Sequence, residues 1–358
     1  MDFAVIMAGG TGKRLWPLSR QRRPKQILKL LDGRTLLREC FDRLTELFDP
    51  RNILVLTNAQ YVDQVCENLT ELPEGNLIAE PCVRDTSGAI GLAASILTKA
   101  DPHATMAVVT ADQILRPQEP FIEAMKTALE FVRNHPDSLV TFGIQPVFAS
   151  TQYGYIRLGE PKGDGGVLPV TAFREKPDAP TARQYLEEGG YYWNSGMFVW
   201  KAETILRLMK TFVPACAEPL EKIHQAWGGP DQEATLQEWF SQLPTISIDY
   251  AVMEKASDVY GIPLDCRWQD LGSFAALADL ISSDANGNVV VAGHSELLDC
   301  RNNIIVTEET GHLIALIGAE EMIVAHSPDA TLICPIHQSH RLKELLERME
   351  QGGKEKFL

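Results

Sequence analysis

The sequence predicts an α/β protein in which a mostly parallel sheet covered by helices is followed by a second region of short strands. Three observations predict it. Apolar runs of strand length alternate with amphipathic runs of helix length over residues 3–142, and that alternation implies right-handed crossovers between parallel strands. The first such run, from Phe3 to Ala8, breaks abruptly into Gly9, Gly10 and Gly12, as a buried strand feeding a ligand loop does. Past residue 280, Val/Ile-rich segments of three to five residues recur with turn residues between them, the texture of a β-solenoid or a small sandwich.

In chain order, residues 35–47 carry apolar positions Leu36, Leu37, Cys40, Phe41 and Leu44 at helical spacing, and residues 52–57 read as a strand. A helix over 60–69, a strand over 76–79 and an Ala/Gly/Ile-rich buried helix over 85–99 follow. The strand at 105–109 ends in Thr110-Ala111-Asp112, and a helix over 120–133 leads to a strand over 138–142. From Tyr153 the pattern is less regular. Strands at 154–158, 167–174 and 191–200, with a short helix near 181–188, read as the second wall of a cleft. Helices follow over 202–240, then one over 249–257 with Asp249 as its cap. Short strands at 288–292, 304–307, 313–317, 322–325 and 331–333 lead to a charged amphipathic helix over 341–349. That last helix reads as a solvated cap, with an oligomer contact as the alternative. The expected domains are residues 1–281 and 282–358.

A net charge of −15 argues against a nucleic-acid groove, which needs a basic stripe. It leaves room for a nucleotide, since a few local cations suffice for one triphosphate. Seven cysteines without a C-x-x-C pair suit reduced thiols in the cytoplasm. No cationic leader and no apolar run of membrane-spanning length is visible, so no signal peptide and no membrane partner are expected.

The glycine loop carries the most chemistry. Glycines let the backbone turn tightly and approach a ligand, and exposed N–H groups in such a turn form an anion-binding concavity. Lys13 and Arg14 add positive charge at its end, so Ala8 to Arg14 reads as a triphosphate site. The spacing is G-G-x-G, not the dinucleotide G-x-G-x-x-G, and Arg14 stands where a Walker loop has Ser or Thr.

Gly9-Gly10-Thr11-Gly12-Lys13-Arg14-Leu15-Trp16-Pro17-Leu18-Ser19, followed by Pro24-Lys25-Gln26, resembles the sugar-nucleotide pyrophosphorylases. The Leu-Trp-Pro-Leu-Ser form is similar to the mannose-1-phosphate guanylyltransferases among them. The resemblance implies a Rossmann-like nucleotidyltransferase domain with a mixed, mostly parallel sheet and a small C-terminal β-solenoid, a left-handed parallel β-helix, with a homodimer through the C-terminal domain as a further expectation. It implies GMP transfer from GTP to α-D-mannose 1-phosphate, yielding GDP-mannose and pyrophosphate, with Mg²⁺ as cofactor.

Asp112 ends an apolar strand, where a carboxylate is costly without a partner. One or two carboxylates plus phosphate oxygens is the usual Mg²⁺ arrangement. Asp270 is the second candidate, or else the cap of a helix near Ser273; the resemblance favours the metal role for both aspartates. Glu175-Lys176 would point to opposite faces if they shared a strand, and a surface charge pair is their plain reading. The resemblance makes Glu175 an acceptor for sugar hydroxyls and Lys176 the grip on the sugar phosphate. Asn194 offers donor and acceptors for a hydroxyl pair, or else sits in a turn before 197–200. Gly154 lets a sugar face pack close. Glu80, Asp85, Thr86, Ser87 and Gly88 are implied to face base and ribose, although relatives often carry Ala-Pro where Ser87-Gly88 stands here. Arg14 and Lys25 would hold the leaving phosphates. The segment from Ser247 to Lys255 is expected to support the cleft. His337 and His340 lack further metal ligands at suitable spacing, and Trp16, Trp193 and Trp268 are not read as a nucleic-acid stack. The rivals are a relative using another base or sugar, and a non-catalytic sugar-nucleotide-binding regulator; an NAD-dependent enzyme is disfavoured by the missing fingerprint. The chain is expected to lack the isomerase domain fused to some relatives.

Overall fold

The computed structural model describes residues 1–10, 12–30, 33–161 and 166–358. Among these residues its main sheet has nine strands, in the spatial order 77–80, 53–58, 2–7, 105–110, 191–201, 139–144, 259–264, 168–174 and 155–158. Strands β1 (Asp2–Met7), β2 (Ile53–Asn58), β3 (Leu77–Glu80) and β4 (Thr105–Thr110) are parallel, joined through α1 (Leu36–Thr45), α2 (Val62–Asn68) and α3 (Asp85–Ala100). The central strands are apolar along their whole length because helices cover both faces. Val5 and Ile6 are both fully buried, yet belong to apolar clusters on opposite sides of the sheet.

Helix α1 starts where the Thr35 hydroxyl accepts from the Arg38 N–H at 3.0 Å, a cap worth about 1 kcal/mol. After α4 (Glu119–Asn134) and β6 (Leu139–Ile144), the chain forms β7 (Tyr155–Leu158), β8 (Leu168–Arg174), α5 (Ala179–Glu188) and β9 (Tyr191–Lys201). Strand β9 runs antiparallel between β4 and β6. Its place makes the sheet mixed, and hydrophobic period alone carries no strand direction. Three helices, α6 (Ala202–Phe212), α7 (Ala217–Ala226) and α8 (Gln232–Phe240), cover the face on which α3 lies.

Beyond them the expectation of a helix over 249–257 is corrected. Only one wide turn forms, Asp249–Met253, and Asp249 makes no capping bond. Its carboxylate turns instead toward Asn194, whose side chain donates to it. Three further strands, Gln113–Arg116 (β5), Val259–Leu264 (β10) and Arg267–Asp270 (β11), stand where sequence period gave no signal. β11 pairs antiparallel with β5, setting Asp270 opposite Gln113.

Helix α9 (Phe274–Ala278) leads to the C-terminal region. There β12 (Val289–Val291), β14 (Ile304–Thr307) and β16 (Met322–Ser327) stack in parallel. β13 (His294–Leu298) and β15 (Leu313–Ile317) form a second parallel pair. Such alternation between two stacked parallel sheets is a coil of the β-solenoid kind, closed by the antiparallel strand β17 (Ala330–Pro335). Inside it the Asn303 side chain donates to the Ala319 carbonyl at 2.8 Å and to Asn288 Oδ1 at 2.9 Å, an internal polar ladder. Helix α10 (Leu342–Gln351) buries Leu342 and Leu346 in a cluster that also contains Leu15, Trp16 and Leu18. It is therefore more than a solvated cap: its apolar face lies against the segment that follows the glycine loop.

Candidate active site

Parallel strands deliver their carboxyl ends to one edge of a sheet, where ligands bind. Here β1 leads through Ala8 into Gly9-Gly10, β3 ends in Glu80 and β4 ends just before Asp112. The antiparallel β9 contributes the opposite end of its run: Asn194 and Trp193 lie level with Gly143 and Ile144 at the end of β6. The topology thus gathers residues from across the chain on one side of the sheet.

The loop after β1 is tied on several sides. The Ala8 N–H donates to the Leu56 carbonyl at 2.8 Å, and the Thr57 hydroxyl and Gln26 amide both donate to the Ala8 carbonyl. A Cβ on Gly9 would stand 3.1 Å from Glu80 Oε2, whereas a Cβ on Gly10 would meet nothing within 4 Å among the described residues beyond its chain neighbours. Gly12 has φ +66° and would drive a Cβ to 2.6 Å from the Lys25 Cβ. Glycine is needed there twice over, for the left-handed backbone and for the close approach. Lys13 and Arg14 are exposed, and Arg14 donates to Gln152 at 3.1 Å. Thr11 lies outside the described residues.

Lys25 is buried, and its ammonium lies 2.7 Å from Asp112 Oδ2 and 3.3 Å from Asp270 Oδ1. Burial alone would lower the Lys25 pKa, but the two carboxylates outweigh it and hold the ammonium above its ordinary value. Burial likewise opposes ionisation of Asp112, and Lys25 reverses it, leaving that carboxyl below its ordinary value. At Asp270 burial prevails and the pKa is raised. Ser273 caps α9 through a bond from the Ala276 N–H at 3.2 Å, so Asp270 is not the cap. Among the described residues no three His, Cys, Asp or Glu side chains form a metal cage. Two aspartates gathered around one positive charge still suit a hard divalent cation that takes its other ligands from phosphate and water. Tyr153 packs edge-on against Trp193 and Trp268, the latter two residues before Asp270. Burial, with Asp270 adding to it, pushes the Tyr153 phenol up to about 12.

At the second wall Glu175 and Lys176 do not share a strand, and they form a charge pair. Strand β8 stops at Arg174, Lys176 takes φ +42°, and its ammonium returns to Glu175 at 2.6 Å. A non-glycine residue held at that φ costs about 1–3 kcal/mol, the kind of strain that accumulates at sites. The Glu175 N–H donates to Glu254 at 2.8 Å, and its buried carboxylate occupies the space a Gly154 Cβ would fill. Burial alone would lower the Lys176 pKa, and Glu175 raises it above its ordinary value. Asn194 sits inside β9, not in a turn. Its Oδ1 accepts from the Thr141 hydroxyl at 2.8 Å and its Nδ2 donates to Asp249 at 2.9 Å, which leaves one amide N–H for a ligand. Burial, and then the Glu175 carboxylate, push the Asp249 carboxyl up to about 7.

Glu80 is buried without a partner among the described residues, and burial pushes its carboxyl up to about 7. Asp85, at φ +57°, is exposed. The Thr86 N–H donates to Asp85, and the Thr86 hydroxyl accepts from Ile248 at 2.8 Å. Ser87 donates its N–H to the Ile246 carbonyl, and Gly88 packs under Arg84 and Phe240. All three touch the helix layer or the segment at 246–248, contacts that local sequence does not report.

A glycine loop, a Lys–Asp–Asp cluster and an unpartnered carboxylate at the carboxyl edge of such a sheet define a nucleotidyl transferase. The nucleotidyl transferase family profile matches residues 3–287, and that of the MannoseP isomerase/GMP-like beta-helix domain matches residues 287–349. A mannose-1-phosphate guanylyltransferase of Klebsiella pneumoniae is 37% identical over 100% of this chain and 76% of its own length. The xanthan biosynthesis protein XanB of Xanthomonas campestris is 35% identical over 98% of this chain and 73% of its own. A crystal structure from Thermus thermophilus, named a mannose-1-phosphate geranyltransferase, superposes with a TM-score of 0.86 at 32% identity, covering 98% of this chain and 99% of that one. The chain belongs to the mannose-1-phosphate guanylyltransferase family of nucleotidyl transferases. No helix among the described residues is long and apolar enough to cross a membrane.

Sequence reasoning passed over Asp249, Thr141 and Gln152. Asp249 stood in a quoted segment but was read as a cap; Thr141 and Gln152 lie in stretches without any motif.

Proposed function

We propose that the protein transfers GMP from GTP to α-D-mannose 1-phosphate, releasing GDP-mannose and pyrophosphate. The observation that carries this reading is the convergence, at one sheet edge, of the glycine loop and Lys25–Asp112–Asp270 cluster with the Glu175–Lys176–Asn194–Asp249 group. One group suits a triphosphate and the other a phosphorylated polyol. An oxygen of the sugar phosphate forms a bond to the α-phosphorus of GTP as the bond from that phosphorus to the bridging oxygen breaks, and pyrophosphate leaves with the bond electrons. The nucleophile is already ionised at neutral pH, so no general base is required.

The task of the protein is to bring two anions together and align them. Arg14 and Lys25 bind the leaving phosphates, and Lys176 holds the sugar phosphate. Glu175 and Asp249 accept from sugar hydroxyls, while Asn194 donates its free N–H. Gly9, Gly10 and Gly12 line the triphosphate with backbone N–H groups, Lys13 adds charge, and Ala8, its own N–H bonded to Leu56, fixes where the loop leaves the strand. Asp112 and Asp270 would hold Mg²⁺, which when bound neutralises phosphate charge. Glu80 supports the choice of base. An ionised carboxylate is acceptor-only, and guanine presents two adjacent donors, N1–H and the 2-amino group. Seven free thiols suit the cytoplasm. The absence of nucleic-acid and membrane partners and a homodimer through residues 282–358 belong to the same reading.

The test is pyrophosphate release with mannose 1-phosphate, Mg²⁺ and each common nucleoside triphosphate. Dominant turnover of GTP is the expected result. Dominance of another triphosphate would refute the base assignment, and binding of GDP-mannose without any turnover would refute the enzyme.

A further inference from the structure

The glycine loop has a rear side, and the C-terminal coil is fastened to it. Residues Arg20 to Arg23 close a tight turn, with mutual backbone bonds of 2.8 and 3.0 Å. The Arg20 guanidinium is the hub. Its Nε donates to the Pro17 carbonyl at 2.7 Å and its Nη1 to the Phe357 carbonyl at 2.7 Å. Its Nη2 donates to the Ser327 hydroxyl at 2.8 Å and pairs with Asp329 at 2.5 Å. Trp16, over whose ring Arg20 lies at 5.8 Å, donates from its indole N–H to the same Phe357 carbonyl at 2.6 Å. Arg23 pairs with Glu308 at 2.7 Å. Leu15, Trp16 and Leu18 share an apolar cluster with Val306, Ile323 and Leu332 of the coil.

This anchorage connects to the front of the loop through few steps. Ser19, next to Arg20, is buried and donates its hydroxyl to the Gly12 carbonyl at 2.5 Å. Gly12 in turn lies against the Lys25 side chain, whose ammonium joins Asp112 and Asp270. Between β1 and α1 the described chain has only short turns and no sheet ladder, so its shape depends on such side-chain ties.

We infer that Arg20 is a positioning residue through which the C-terminal coil holds the glycine loop and Lys25 in the arrangement that grips the triphosphate. This rests on the reading that the loop binds GTP. A loop that populates the competent arrangement only in part binds its ligand more weakly by that fraction. The sugar-phosphate group, anchored on β8 and β9, does not share these ties. Loss of Arg20 therefore weakens GTP selectively.

The experiment measures KM for GTP and for mannose 1-phosphate, with kcat, well below the melting temperature, for the wild type, Arg20→Ala, Arg20→Lys and Asp329→Asn. Arg20→Ala raises KM for GTP about ten-fold and leaves KM for mannose 1-phosphate within about two-fold. Arg20→Lys, which keeps a charge but loses the fork, falls between it and the wild type. Asp329→Asn, outside the site, shifts KM for GTP in the same direction by about three-fold. Amide exchange at Gly9 to Ser19 quickens in parallel. A lower melting temperature with both KM values unchanged would overturn the inference, since Arg20 would then only fasten the two regions together. An equal rise in both KM values would overturn it too. Failure of the wild type to use GTP at all would instead sink the functional reading on which it rests.

Discussion

The Glu80 carboxylate offers the sharpest single perturbation, Glu80→Gln. It is 8% exposed, it has no partner among the described residues, and burial raises its pKa from 4.5 to about 7. A raised carboxyl pKa means that ionised Glu80 destabilises the native state. The penalty begins above the unfolded pKa, grows until pH 7 and is full beyond it. The shift corresponds to about 3 kcal/mol at 1.36 kcal/mol per unit. The Gln variant should accordingly melt higher than the wild type at pH 8, with the gain gone by pH 4. Activity should move the other way. Each guanine donor bonded to an ionised carboxylate contributes about 1.5–3 kcal/mol. Glutamine retains one acceptor and turns an N–H toward the second donor, so about 2–4 kcal/mol of recognition is lost. In kcat/KM for GTP that is about 30- to 1,000-fold. The assay is pyrophosphate release with GTP and with ITP, which lacks the 2-amino group. The wild type should prefer GTP, and the variant should lose most of that preference. KM for GTP in the wild type should also rise as pH falls below about 7, where Glu80 takes a proton, a dependence absent from the variant. A variant with unchanged kcat/KM and an unchanged GTP-to-ITP ratio would refute the argument.

Asp112→Asn should reduce turnover by at least about 100-fold while circular dichroism shows a folded protein, and Lys25→Ala should do the same; near-normal turnover in either would sink the mechanism. Gly154→Ala places a methyl group on the Glu175 carboxylate, so KM for mannose 1-phosphate should rise about ten-fold or more with KM for GTP little changed, as steady-state kinetics would reveal. Asp249, pushed up to about 7 by burial and by Glu175, destabilises the fold above its unfolded pKa and most fully above pH 7. Asp249→Asn should therefore melt higher than the wild type at pH 8 and by a smaller margin at pH 5, a comparison that calorimetry at the two pH values decides.

Much of the fold was legible because its causes are local. The strand ending at Gly9, the parallel strands up to Thr110 and the turn-separated Val/Ile runs of the coil announce themselves by period and by glycine. Asp112 was legible for the same reason, as a charge at the end of an apolar run. Asp249 was misread because an aspartate before an apolar stretch has the pattern of a cap, whereas the deciding contact is with Asn194, 55 residues away. Around Thr86, Ser87 and Gly88, too, contacts with distant segments decide the packing. Their motif is local, but α8 and the segment at Ile246 to Ile248 lie against it.

By itself, the sequence determined the local chemistry: a glycine turn able to approach phosphate, cations beside it, carboxylates at strand ends, and the family to which those motifs belong. Tertiary structure decided which of these groups meet. The antiparallel insertion of β9 and the β5–β11 pairing bring Asn194 and Asp270 to the edge where β1, β3 and β4 end. It also decided that the coil grips Arg20. The physical reason is that periodicity records which side of an element is buried. Strand direction, register and the partner of a buried charge are settled only when distant segments compete for the same surface.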